Sequence, residues 1–152
     1  MTKILFVCLG NICRSPMAEA VFQTEVQAQG LDWQVDSAAT SSWEVGNPAH
    51  PGTRELLAQK GIASDKLVSR QVTRDDFEQF DWIIGMDHQN VADLLKRAPE
   101  NCQDKIRAYL SVVPELQDAE IPDPYYTGDF EETYRLIQTG LPYWLTVIRE
   151  HE

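Results

Sequence analysis

A chain of 152 residues, 43% apolar and 24% charged, has the length and composition of one globular domain able to bury a core without staples. Its formal net charge of −11, from 13 basic and 24 acidic side chains without a Lys/Arg cluster, excludes the basic face that a nucleic-acid binder needs. The opening apolar run, Lys3 to Leu9, is too short to span a membrane and runs straight into Gly10 and Asn11 with no cleavage pattern, while three cysteines, an odd number, fit free thiols; a cytoplasmic protein without a membrane partner is expected.

Ile4-Leu5-Phe6-Val7-Cys8 reads as a strand buried on both faces, and Gly10 to Arg14 as the loop after it. Ser15 and Pro16 suggest a helix start, with a hydroxyl cap and a proline at the first position. Met17, Ala20, Val21 and Val26 give that helix its apolar side, and Gly30 its stop. Gln34 to Ala38 is a second strand. Pro51 opens a helix carrying Leu56 and Leu57 and stopping at Gly61, with Ile62 just beyond it. Thr73 to Asp76 caps a short helical turn, and Trp82-Ile83-Ile84 is a third buried strand. Asp87 to Lys96 reads as a helix with Val91, Leu94 and Leu95 on one face, and Ile106 to Leu110 as a weaker fourth strand. Ile121 to Thr127 is a proline-rich loop, and Asp129 to Arg149 a closing helix interrupted near Gly140-Leu141-Pro142. Strands alternating with helices predict a single α/β domain over 1–152, a sandwich on a parallel sheet. Ligands of such folds bind past the carboxyl ends of the strands, where Cys8 stands.

The chemistry concentrates in Cys8-Leu9-Gly10-Asn11-Ile12-Cys13-Arg14-Ser15. A loop entering a helix turns free backbone N–H groups inward and adds the positive end of the helix dipole, which makes an anion site. Gly10 and Asn11 tolerate positive φ and let the loop curl around an oxyanion. Arg14 supplies a planar fork for two phosphate oxygens. The same field favours the thiolate of Cys8, to which the Ser15 hydroxyl can donate. Outside this context, a buried cysteine and an unrelated arginine would be ordinary packing.

The stretch Val7 to Glu19 resembles the low-molecular-weight protein tyrosine phosphatases, and the resemblance runs through Asp36-Ser37-Ala38-Ala39-Thr40, Arg70-Gln71-Val72-Thr73, Met86-Asp87 and Asp123-Pro124-Tyr125-Tyr126. It implies a four-stranded parallel sheet with helices on both faces, and hydrolysis of phosphotyrosine through a cysteinyl phosphate on Cys8. It makes Asp123 the proton donor to the leaving phenolate, then the base for the hydrolytic water. Ile12, Trp43, Tyr125 and Tyr126 become the walls around the phenyl ring, and Asn11, Ser15 and Ser37 the support of the loop. Cys13 is then a partner for oxidised Cys8, and the tyrosine pair a target for a cognate tyrosine kinase. No cofactor is implied. His50, His88 and His151 lack metal-ligand spacing, and Cys102 reads as a surface thiol.

Two positions depart from the family: His50 stands where an aspartate is common, and Leu67 where a histidine usually helps hold the loop asparagine. Ser37 is the substitute partner for Asn11. Rival readings stay open. An arsenate reductase of this fold needs two further cysteines close together, and only Cys102 lies downstream. Phosphoarginine phosphatases tend to carry threonine at the position of Ile12 and lack the tyrosine pair. A phosphoprotein-binding module would not need Cys8, Arg14 and Asp123 together, and a sugar-uptake phosphocarrier would not need Asp123.

Overall fold

In the computed structural model, which describes residues 1–152, the opening apolar run forms β1 (Lys3–Cys8), with Ile4 to Val7 fully buried. Successive side chains point to opposite faces. Ile4, Phe6 and Cys8 enter the larger apolar cluster, and Leu5 and Val7 the smaller one. β1 pairs in parallel with β2 (Gln34–Ala39) and with β3 (Trp82–Gly85), and β4 (Ile106–Ala108) extends β3, giving the order β2-β1-β3-β4. The strand order reverses beside β1, so the crevice past Cys8 is the place where such a sheet takes a ligand.

Six helices surround the sheet: α1 (Arg14–Ala28), α2 (Pro51–Gln59), α3 (Arg74–Gln79), α4 (His88–Arg97), α5 (Pro124–Thr127) and α6 (Phe130–Glu150). α1, α2 and α6 bury their apolar residues in the larger cluster, while α3 and α4 cover the opposite face through Phe77 and Leu94. A full capping box starts α3, with Thr73 and Asp76 satisfying each other's backbone N–H groups.

Several local expectations change. α1 begins at Arg14 with Cys13 as its cap residue and no side-chain cap, so Ser15 is not the cap and Pro16 is not at the first position. The Ser15 hydroxyl is engaged by Cys8 and Asn11 instead. The fourth strand stops at Ala108, because Tyr109–Val112 turns into a 3₁₀ helix that buries Tyr109. The expected loop at Ile121–Thr127 contains the single turn α5, with Pro124 at its first position and Asp123 as its cap. α6 runs through Pro142 without interruption. A proline removes one helical hydrogen bond, but Leu136, Ile137, Leu141, Trp144, Leu145 and Ile148 hold both halves against the core. Leu95 faces solvent rather than the core. Cys102 is buried rather than a surface thiol, since the 3₁₀ helix Glu100–Lys105 turns it into the smaller cluster.

Candidate active site

The loop after β1 is shaped from outside. Four of its carbonyl groups are taken by neighbouring segments: Leu9 O by Ser41 Oγ (2.8 Å), Gly10 O by Ser69 Oγ (2.9 Å), Ile12 O by His50 N (2.8 Å) and Cys13 O by Thr53 Oγ1 (3.3 Å). With the carbonyls drawn outward, the amides are left to face the other way. The first turn of α1 has no side-chain cap, so its N–H groups are also uncommitted by side chains. Asn11 holds the curl at φ +56°, a left-handed conformation that asparagine tolerates.

Asn11 is itself fixed by three partners. Its Oδ1 accepts from Arg70 N (3.1 Å), and its Nδ2 donates to Ser15 Oγ (2.8 Å) and Ser37 Oγ (2.9 Å). Leu67, at the position of the family's histidine, is simply buried. In that histidine's absence the Arg70 backbone, Ser15 and Ser37 bond the amide. Ser15 Oγ receives a hydrogen from Asn11 and lies 3.0 Å from Cys8 Sγ, where its own hydrogen can point at the sulfur when Cys8 is a thiolate, which has no proton to donate. Asn11 N donates to the same sulfur at 3.3 Å.

Arg14 is 2% exposed. Its Nη1 donates to Asp87 Oδ2 (2.7 Å) and Ile121 O (3.0 Å), and its Nη2 to Asp123 Oδ2 (3.2 Å). Arg14 Nε is buried with no hydrogen-bond partner. A buried unpaired donor costs about 1–3 kcal/mol, more in a charged group, so this nitrogen marks the side from which an anion would be bound. Asp123 caps α5 through Oδ1, which accepts from Tyr125 N (3.1 Å), while Oδ2 faces Arg14.

Cys8, Leu9, Gly10, Ile12, Cys13, Trp43, Asp123, Tyr125 and Tyr126 line one cavity of about 140 Å³, together with Glu44. The aromatic rim stands out in solvent: Trp43 and Tyr126 are each 73% exposed and Tyr125 is 57% exposed. The geometry thus gathers Cys8, Asp123 and the expected wall residues, with Arg14, Asn11, Ser15 and Ser37 directly behind them. His50 caps α2 through Nδ1 and stacks on Phe130 with ring centroids 5.1 Å apart, which gives it a local structural task.

Burial pushes the Cys13 thiol up to about 12, and the charges of Cys8 and Asp123 add to the effect. Cys13 is therefore a neutral thiol near pH 7. Since the thiolate is the attacking form, this slows any disulfide with Cys8.

Two further carboxylates have no site role in the reading of the chain alone. Asp87 caps α4 and orients Arg14, and a signal for it existed in an acidic residue directly after the β3 apolar run. Glu19 lies one helical turn beyond Ser15, and its Oε1 accepts from Ser37 Oγ at 2.5 Å. Desolvation pushes the Glu19 carboxyl up to about 7, and Asp36 adds to the rise, while the Ser37 hydrogen bond and Arg70 oppose it. Arg70 is itself engaged by Asp36 (3.0 Å) and Asp76 (2.9 Å), so little of its charge is left for Glu19.

No group of three or more His, Cys, Asp or Glu side chains is placed to hold a metal ion. No helix is long and apolar enough to cross a membrane.

Known proteins share the sequence and the fold of this chain. The low molecular weight protein-tyrosine-phosphatase YfkJ of Bacillus subtilis is 44% identical, over 100% of this chain and 99% of its own. The crystal structure of YfkJ matches with a TM-score of 0.95, covering 100% of this chain and 97% of that one. The low molecular weight phosphotyrosine protein phosphatase of Homo sapiens is 45% identical, over 88% of this chain and 87% of its own. A structure described as DARP, drosophila arginine phosphatase, matches with a TM-score of 0.89 at 34% identity, covering 97% of this chain and 98% of that one. Residues 3–152 match the family model described as low molecular weight phosphotyrosine protein phosphatase, and the chain belongs to that family.

Proposed function

We propose that this protein is a protein-tyrosine phosphatase that works through a phosphocysteine on Cys8. The observation that carries the reading is the buried, unpartnered Nε of Arg14, in the residue that ends the loop around Cys8. A phosphate dianion satisfies that donor and the inward amides together. Arg14 then turns from Asp123 to the phosphate oxygens, and Asp123 carries a proton facing the leaving oxygen.

The Cys8 thiolate attacks phosphorus in line. The S–P bond forms, the P–O bond to the phenol breaks, and the Asp123 proton moves to the departing oxygen. A water then attacks phosphorus and gives its proton to the Asp123 carboxylate. The S–P bond breaks, inorganic phosphate leaves, and the Cys8 thiolate is restored with Ser15 donating to it. The ring of the substrate lies between Trp43, Tyr125 and Tyr126, with Ile12 beneath it. The substrates are phosphotyrosine-containing proteins, and a cognate tyrosine kinase that modifies Tyr125 or Tyr126 fits their exposure. Three free cysteines, an odd number, support action in the cytoplasm.

The test is Cys8→Ser. The variant should lose turnover of aryl phosphates while still binding phosphate or vanadate, because the amides and Arg14 hold the anion without the thiol. Activity within tenfold of wild type would end the covalent reading. A faster rate on phosphoarginine than on phosphotyrosine peptides at equal concentration would overturn the substrate assignment.

A further inference from the structure

Beside the cavity lies a second, open depression that shares two of its walls. Leu9 and Trp43 line both. On its far side stand Lys96 and Arg97, from the last turn of α4. Between them the lining is polar: Ser42, Gln71 and Thr40, whose buried hydroxyl oxygen has no hydrogen-bond partner.

The two cations stand side by side in a chain with 24 acidic and 13 basic residues. Lys96 and Arg97 form no ion pair, as is true of every lysine and arginine here except Arg14, Arg70 and Arg135, so both charges are free to meet a ligand. Asp93 also lines the depression, one turn before Arg97 and at a spacing suited to an ion pair. It makes none, and accepts instead from Gln89 Nε2 at 3.0 Å. Cations in a last turn complement the helix dipole, which explains their place along α4. It does not explain why both border a hollow continuous with the phosphate loop.

We propose that this depression is a second substrate subsite, in which Lys96 and Arg97 take the carboxylate of an acidic residue close in sequence to the phosphotyrosine. The proposal rests on the phosphatase reading above. A polypeptide whose phosphotyrosine ring leans on Trp43 passes over the shared wall, so that a near neighbour in the chain reaches the far side of the indole. An acidic side chain there meets two exposed, unpaired cations against the one carboxylate of Asp93, which is already engaged by Gln89. A basic one meets like charge. Exposed pairs of this kind discriminate modestly and fade with ionic strength.

The experiment compares phosphotyrosine peptides with alanine, glutamate or lysine at the positions flanking the tyrosine. For wild type at low salt, kcat/KM for the glutamate peptide at one or more of these positions should exceed that for alanine by about three- to tenfold, and lysine should fall below alanine. In Lys96→Ala/Arg97→Ala the three should converge, and in Lys96→Glu/Arg97→Glu the order should invert. Turnover of p-nitrophenyl phosphate, which cannot reach the subsite, should stay unchanged and report that the variants fold. A glutamate preference that is missing in wild type, or that survives the double substitution, overturns the subsite. Failure of wild type to hydrolyse even the alanine peptide overturns the phosphatase reading, and the subsite with it.

Discussion

Leaving-group basicity decides how much Asp123 contributes. A phenol has a pKa of about 10, so expelling phenolate unprotonated is costly, whereas a strongly acidic phenol departs as an anion unaided. Asp123→Asn should lower kcat on phenyl phosphate by about 10²- to 10⁴-fold, and by much less on aryl phosphates with acidic leaving groups. A loss that is uniform across the series would assign Asp123 only to capping α5 and point to a different acid. Glu19 makes a different kind of contribution. Its folded-state value of about 7 lies above its unfolded value of 4.5, so the neutral acid is the form that suits the fold. The corresponding stability is fully present below 4.5 and is lost as pH rises through 7. The size is on the order of 3 kcal/mol. Glu19→Gln keeps a neutral side chain at every pH. Its urea midpoint should therefore fall less than that of wild type between pH 5 and pH 8. Every other group titrates in both proteins, so parallel curves would show that Glu19 is not the source.

At the scale of elements, the parts of the fold legible from the chain are those in which local pattern and tertiary role coincide. β1, β3 and the loop from Cys8 to Arg14 are such cases, because an apolar run, a glycine and an arginine fork each have one reading. Where a distant contact decides, the local signal misleads. Ser15-Pro16 looks like a cap, but the hydroxyl is wanted by the sulfur of Cys8. Gly140 and Pro142 look like a break, but Gly140 is there for contact: a Cβ at that position would sit 2.5 Å from Tyr109 Cε1. The approach lets Tyr109 Oη donate to Ile137 O (2.6 Å) and Trp144 Nε1 donate to Tyr109 O (2.8 Å), which ties α6 to the 3₁₀ helix after β4. Cys102 belongs to the same class, since its burial follows from a 3₁₀ helix with no strong periodic signal. In the site, Arg14 and Asp123 were legible as chemistry, whereas Asp87 and Glu19 were not. Their work is to orient other groups across 73 and 18 residues of chain, to Arg14 and Ser37 respectively, and no spacing rule spans such gaps.

Taken as a whole, the molecule sets its nucleophile and its acid on supports of different kinds. Cys8 ends the central strand of the sheet, which is paired on both sides along its fully buried run from Ile4 to Val7. Asp123 caps a single helical turn, in which Tyr125, Tyr126 and Thr127 are exposed. Segments open independently according to how much buried contact holds them, from nearly free opening up to the global unfolding free energy. The two halves of the reaction therefore have separate thermal lifetimes. On warming, amide exchange around Pro124 to Gly128 should accelerate well before exchange in β1. Proton donation to the leaving group should fail first, while Cys8 still alkylates at its native rate, leaving a window in which the protein is folded, can still form the phosphocysteine from aryl phosphates whose leaving group is an acidic phenol, and no longer turns over phenyl phosphate.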